Sequence, residues 1–218
     1  MELTHAVAAL QRFSGQDLGL SLWKMESALE GMTAGELAPI LQQHDADHET
    51  LEGAALIKNI AGQINVVIHA LGILLCLPQL LAVDERVQSL SLGAGNTGKQ
   101  FDLETDRRVA EFKFISWQGG PEAIRQNSVF KDFFYLAELE SPKSRHLYVL
   151  GTEHPLKFMT GRRAMSSVLS KNMKLHDDFI AKYPDCKVVR DYYIPRREIV
   201  RIEDISPFLR GLIDSPQV

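Results

Sequence analysis

The sequence predicts an α/β fold: a mixed central sheet flanked by helices, with a helical region ahead of it. Three observations carry that expectation. From about residue 50 the apolar pattern runs in the order long helix, three short strands, helix, strand. The second and third of those strands follow each other so closely that they read as a tight β-hairpin. Ahead of them, residues 1–48 show only helical spacing. The expected division is a helical N-terminal region over 1–48 and an α/β domain over 49–218, the latter with a basic C-terminal extension.

The bulk numbers are those of a soluble globular chain: 218 residues, 45% hydrophobic and 24% charged. Two cysteines far apart, Cys76 and Cys186, suggest neither a disulfide framework nor a zinc site. That cysteine usage makes a reducing cytoplasm the expected location, and the N-terminus lacks the basic-then-apolar pattern of a signal peptide. The greasiest segment, Ile64 to Val83, is interrupted by Asn65, His69, Pro78 and Gln79. Its longest clean run, Ala70 to Leu77, is far short of the roughly 20 residues of a membrane span. A buried helix and no membrane partner are therefore expected. Charge is unevenly spread: residues 1–52 carry two Lys/Arg against nine Asp/Glu, and residues 143–201 thirteen against six. A basic C-terminal part can attract phosphates, or the two parts can simply be solvated faces.

In chain order, Leu3 to Phe13 and Leu18 to Leu29 read as weakly amphipathic helices. Thr33 and Glu36 fit a capping box that opens a helix to about Gln42. After a polar stretch at 44–49, an apolar helix runs from about Thr50 to Leu75, with Pro78 restricting the residues beyond it. Arg86 to Leu92 is the first strand and Gly93 to Lys99 a glycine-rich connection. The hairpin comes next. The break at Trp117 to Pro121 places a proline at a helix start, and a helix over Glu122 to Leu139 comes after it. Arg145 to Gly151 is the last strand, and Gly161-Arg162-Arg163 opens a helix to about Lys174.

The hairpin Phe101-Asp102-Leu103-Glu104-Thr105-Asp106-Arg107-Arg108-Val109-Ala110-Glu111-Phe112-Lys113 is the most informative segment. A two-residue turn at Asp106-Arg107 pairs Thr105 with Arg108 and Glu104 with Val109, which sets Asp102 opposite Glu111. Opposed strand residues have Cβ atoms about 5 Å apart, and like charges there need a neutraliser. A divalent cation suits, because hard cations prefer carboxylate oxygens. Lys113 shares the strand face of Glu111 and can hold an anionic substrate or orient an attacking water. Ala110, Phe112 and Phe114 mark the opposite face as buried, while Ile115 and Trp117 continue the acidic face. Glu104 is expected to pair with Arg108 or another cation near the turn, and Asp106 to form the turn.

Asp102-x8-Glu111-x-Lys113 resembles the signature of the PD-(D/E)XK nuclease superfamily, with Phe101 where the family name expects proline. The order helix, three strands, helix, strand over about 50–155 is similar to its restriction-endonuclease-like fold. The resemblance implies a magnesium- or manganese-dependent nuclease acting on nucleic acid, with DNA the expected substrate. Asp102 and Glu111 are then metal ligands, and Lys113 a catalytic residue that helps activate water. The family often places a polar side chain on the helix after the hairpin. Gln126, on the stripe Gln126, Phe130, Phe133 and Ala137, is the candidate for that catalytic position. Relatives that act as dimers imply a possible homodimer.

Lys99, Arg125, Lys131, Arg162 and Arg163 are candidate phosphate contacts, each with a plain surface charge as the alternative. On the first helix the match weakens. Glu49 and Glu52 lie far from the first strand, and Asn65 and His69 are nearer, with a buried hydrogen-bonded histidine the simpler account of His69. This favours a second reading, a catalytically inactive module that binds nucleic acid or a protein partner. Gly93 to Lys99 also fits Gly-x4-Gly-Lys, but Gln100 stands where a P-loop needs Ser or Thr, and a strand comes next where it needs a helix.

Overall fold

The alternating residues of the hairpin form the middle of a five-stranded sheet. The computed structural model describes residues 1–29, 32, 34–93, 98–115, 117, 122–209 and 212. The chain divides into two compact units, Met1–Asn65 and Val66–Val218.

The first unit contains α1 (Leu3–Ser14), α2 (Leu18–Leu29), α3 (Ala34–Gln43) and the beginning of α4 (His48–Leu80). Short polar side chains start its helices: the Leu20 amide donates to Asp17 Oδ1 at 2.9 Å and the Thr50 amide to Asp47 Oδ1 at 2.8 Å. Gly15 ends α1 at φ +60°, a conformation L side chains rarely adopt. Ala6 and Ala9 are fully buried, and a Cβ on Gly53 would lie 3.1 Å from the Ala6 Cα. The expected capping box falls on Thr33, outside the described residues.

In the second unit the strands are β1 (Val87–Leu90), β2 (Leu103–Thr105), β3 (Arg108–Lys113), β4 (Ser144–Val149) and β5 (Val200–Asp204), in that order across the sheet. The first three are antiparallel neighbours, whereas β3–β4 and β4–β5 are parallel. The crossover from β3 to β4 is α5 (Ala123–Glu138), as a parallel connection requires. Residues 94–97 of the glycine-rich connection, and 118–121 before α5, lie outside the described residues.

Alternation along β3 divides the core into two. Val109 faces a cluster that includes Phe130, Phe133 and Leu136 of α5, Leu147 and Val149 of β4, and Phe179 and Tyr192. Ala110, Phe112 and Phe114 face a cluster with Ile73 and Cys76 of α4, Leu103 and Tyr148. The contact with α4 is close: a Cβ on Gly72 would fall 2.5 Å from the Phe114 ring, so only glycine fits.

One buried ion pair holds the turn. Arg108 grips Glu85 with two hydrogen bonds of 2.6 Å, and Thr105 Oγ1 donates to the same carboxylate at 2.6 Å. Arg108 also donates to the Tyr148 hydroxyl at 3.0 Å. Burial pushes the Glu85 carboxyl up, but Arg108 and Thr105 outweigh it and bring it down to about 2. Asp106 forms the turn as expected, accepting from the Arg86 amide at 2.9 Å. Because Arg108 is taken by Glu85, Glu104 pairs with Lys143 at 2.7 Å instead.

Four expectations are corrected. The apolar helix does not end near Leu75: α4 runs through Pro78 to Leu80. Pro78 costs the helix one i→i−4 hydrogen bond, and the packing of Leu77, Leu80 and Leu81 against the second core cluster offsets it. Nor is α4 a buried helix; only 17% of its most apolar 18-residue stretch is buried, and by length and composition it could cross a membrane. Residues 161–174 do not form one helix. Arg162 and Arg163 lie in an extended segment whose Ala164 bridges Val188, followed by α7 (Met165–Val168) and, after a break, α8 (Met173–Lys182). The Arg163 carbonyl accepts from the Val189 amide at 3.0 Å, a bond a helix would have kept within itself. Finally, β5 adds a fifth strand, from a tail in which the sequence pattern indicates none.

Candidate active site

The hairpin adopts the expected register, with Leu103 opposite Ala110 and Glu104 opposite Val109. One step further, at the open end, the same register sets Asp102 against Glu111. Burial, then the negative charges of Asp132 and Asp102, raise the Glu111 carboxyl to about 9.

Asp102 stays ionised. Burial pushes its carboxyl up, but His69 and the Phe112 amide outweigh that and hold it below the usual range. The Phe112 amide donates to Asp102 Oδ2 at 2.9 Å. His69 Nε2, from α4, lies 3.3 Å from Asp102 Oδ1. The His69 ring is set edge-on against Phe114, with centroids 5.7 Å apart.

Lys113 lies between two carboxylates. Its Nζ is 3.9 Å from Glu111 Oε2 and 2.5 Å from Asp132 Oδ2. Burial alone would lower the ammonium, but Asp132 and Glu111 raise it, so Lys113 remains charged. Asp132 is a buried residue of α5, and its other oxygen lies 3.9 Å from Lys131 Nζ. The open end therefore gathers three carboxyls and a histidine around one ammonium.

Asp132 is the residue of this cluster that sequence reasoning missed. An acid set between Phe130 and Phe133 is the signal that could have found it. It lies one position from Phe133, outside the stripe Gln126, Phe130, Phe133 and Ala137. That stripe does face inward: Gln126, Phe130 and Phe133 are buried and Ala137 is half-buried. Gln126 Oε1 has no hydrogen-bond partner, and no ion pair around Lys113 involves this residue. Of the two accounts the sequence offers for His69, facing the site or a buried hydrogen-bonded histidine, the 3.3 Å approach of its Nε2 to Asp102 fits the first, and that nitrogen makes no hydrogen bond.

The candidate phosphate contacts have varied partners. The Lys99 ammonium donates to the Leu90 carbonyl. Arg125 pairs with Glu122 at 2.6 Å, one turn away. Lys131 is the nearest to the cluster, through Asp132. Arg162 and Arg163 lie in the extended segment described above. Ile115 does not continue the acidic face; β3 has ended at Lys113 and Ile115 is exposed. No helix follows Lys99, so the P-loop reading lacks its phosphate-binding element. A separate open depression, lined by Thr160, Arg190, Asp191, Ile194 and Pro195, contains none of the predicted site residues.

Among the described residues, no three His, Cys, Asp or Glu side chains form a ready-made metal-ligand set. Two converging carboxylates are still within what magnesium uses, since it keeps several waters and takes one or two protein carboxylates. No protein-family profile, curated protein or solved structure matches this chain.

Proposed function

We propose that the chain is a divalent-cation-dependent nuclease of the PD-(D/E)XK type, hydrolysing phosphodiester bonds in nucleic acid, with DNA the expected substrate. The observation that carries this is the hairpin register, which sets Asp102 against Glu111 at the open end with Lys113 Nζ 3.9 Å from Glu111 Oε2. Two acids opposed across a strand pair can share a cation. The strand order supports the same reading: a three-stranded antiparallel meander, a helical crossover and a parallel fourth strand form the arrangement expected of a restriction-endonuclease-like core.

Asp102 and Glu111 fit a magnesium or manganese ion, which when bound would supply an acidified water and stabilise charge on the scissile phosphate. The chain's own groups do the remaining work. The Phe112 amide holds the Asp102 carboxylate in one orientation, and His69, with Nε2 3.3 Å from Asp102 Oδ1, supports it by charge and proximity. Lys113 presents its ammonium to a phosphate oxygen, where negative charge builds up during the displacement. Asp132 keeps that ammonium protonated and limits its reach.

The test is cleavage. Purified chain with magnesium or manganese is expected to cut DNA or RNA, Glu111→Ala to abolish the cutting and Lys113→Ala to reduce it by about 10²–10³. No cutting of either nucleic acid, or cutting that survives both substitutions, would overturn the proposal.

A second reading is a catalytically inactive module of the same architecture that binds nucleic acid or a protein partner. It is favoured by the tight Asp132–Lys113 pair, which occupies the ammonium, and by the lack of a three-residue ligand set among the described residues. It predicts nucleic-acid affinity that persists in a chelator and does not depend on Glu111.

A further inference from the structure

A serine, a histidine and a glutamate are linked in a row across β4 and β5. On β4, Ser144, His146 and Tyr148 alternate onto one face of the sheet. On β5, Arg201 stands opposite His146 and Glu203 opposite Tyr148, so both join that face. Ser144 Oγ lies 2.8 Å from His146 Nε2, and His146 Nδ1 is hydrogen-bonded to the Glu203 carboxylate. The imidazole is buried and stacked on the Tyr148 ring, with centroids 5.4 Å and planes 16° apart. The bond with His146 holds the Glu203 carboxyl below its usual range, and an ionised carboxylate can only accept. Nδ1 therefore carries the proton, and in the neutral ring Nε2 is left to accept from Ser144. The hydroxyl has a second acceptor in reach, the Arg107 carbonyl at 3.1 Å, but the imidazole is the closer.

We propose that Ser144, His146 and Glu203 form a nucleophilic triad, a second activity in which Ser144 takes an acyl group from an ester. Nucleophile, base and orienting carboxylate in hydrogen-bonded order is the arrangement that activates an otherwise weak hydroxyl. A bond forms between Ser144 Oγ and the acyl carbon while the bond from that carbon to the leaving oxygen breaks. His146 Nε2 takes the hydroxyl proton and gives it to the leaving alcohol. Water then releases the acid by the same sequence, its proton passing through His146 to Ser144. Glu203 is a positioning residue, which fixes the tautomer and steadies the imidazolium. Arg201, exposed on the same face, offers positive charge to the acyl oxygen as it becomes negative. Ser144 is exposed, so an ester can reach the hydroxyl while the base stays buried. Ser144 lies opposite Arg108, at the turn end of the hairpin. Asp102 and Glu111 are at the other end, so this activity does not depend on the nuclease reading.

Labelling of the full chain with a fluorophosphonate tests this. The reagent bonds its phosphorus to an activated serine oxygen and loses fluoride, and intact mass with peptide mapping locates the adduct. One adduct is expected, on Ser144, absent in Ser144→Ala and formed at least about 100-fold more slowly in His146→Gln, as loss of a general base requires. In the wild type the rate should fall in acid, as the imidazole takes up a proton. Arg201, and Arg108 with its partner Glu85, are further charged groups beside this face. Glu203→Gln should slow labelling and change that pH profile, which a purely structural role would leave alone. If circular dichroism shows His146→Gln unfolded, the wild-type pH profile together with Ser144→Ala, a change at an exposed position, decides. No adduct, an adduct on another residue, or a Ser144 adduct whose rate ignores both pH and His146→Gln would overturn the proposal.

Discussion

At the turn of the β2–β3 hairpin one buried carboxylate meets one guanidinium, whereas at its open end three carboxyls surround a single ammonium. The turn is chemically closed. Glu85 receives hydrogen bonds from Arg108, Thr105 and the Ala82 amide, and its carboxyl falls to about 2. At the open end Lys113 and, at 3.9 Å, Lys131 face Asp132, and burial with the neighbouring acids raises Glu111 to about 9. One short hairpin thus supports opposite arrangements at its two ends. A balanced pair fixes structure; an unbalanced cluster has capacity left for something positive or for a proton.

The largest effects should separate the ends by function. Lys113→Ala is expected to lower any cleavage rate by about 10²–10³, as loss of one transition-state donor does elsewhere, and also to lower stability, because it leaves buried Asp132 without its close partner. Arg108→Ala should lower stability and leave the cleavage groups in place. Leaving Glu85 buried without its partner is expected to remove about 3–5 kcal/mol of stability in urea unfolding. A stable Arg108→Ala chain would show that the turn pair is not what holds the hairpin.

The ends should also respond oppositely to pH. Glu111 binds its proton more tightly folded than unfolded, so its contribution is full below 4.5 and is lost as pH rises through about 9. Glu85 binds its proton less tightly folded, so its contribution is present above 4.5 and is lost as pH falls through about 2. Unfolding of the metal-free chain should therefore become easier from mildly acid to alkaline pH. Glu111→Gln should flatten that slope, a tenfold difference in proton affinity between folded and unfolded chain being worth about 1.4 kcal/mol. A slope unchanged by Glu111→Gln would place the retained proton elsewhere.

Smaller effects sharpen the picture. His69→Ala removes a support of Asp102 rather than a reacting group, and a loss of about 10–100-fold in cation affinity or cleavage is expected. Glu104→Gln breaks only the partly exposed pair with Lys143, so its effect on stability should stay within about 1 kcal/mol.

The hairpin was legible in the sequence because two constraints coincide there. Alternation fixes which side each residue faces, and a two-residue turn fixes the register, so the facing of Asp102 and Glu111 comes from local rules alone. The partnership of Lys113 with Asp132 was not legible. It depends on how α5 lies across the sheet, and a helix stripe read by itself pointed to Gln126. The fifth strand escaped for a related reason: Val200 to Asp204 is short, and it becomes a strand by pairing with β4, more than fifty residues earlier. Hydropathy likewise made α4 look buried. It records that a surface is apolar but not what covers it, and from Ala54 to Leu80 only Gly72, Ile73 and Cys76 are buried.

The most direct test of the open end is a manganese titration of the metal-free chain, followed by the paramagnetic resonance of the free ion. One saturable site is expected, lost in both Asp102→Asn and Glu111→Gln and retained in Glu104→Gln. A chain that binds no manganese, or whose binding is indifferent to Asp102 and Glu111, would contradict the assignment of that cluster as a cation site.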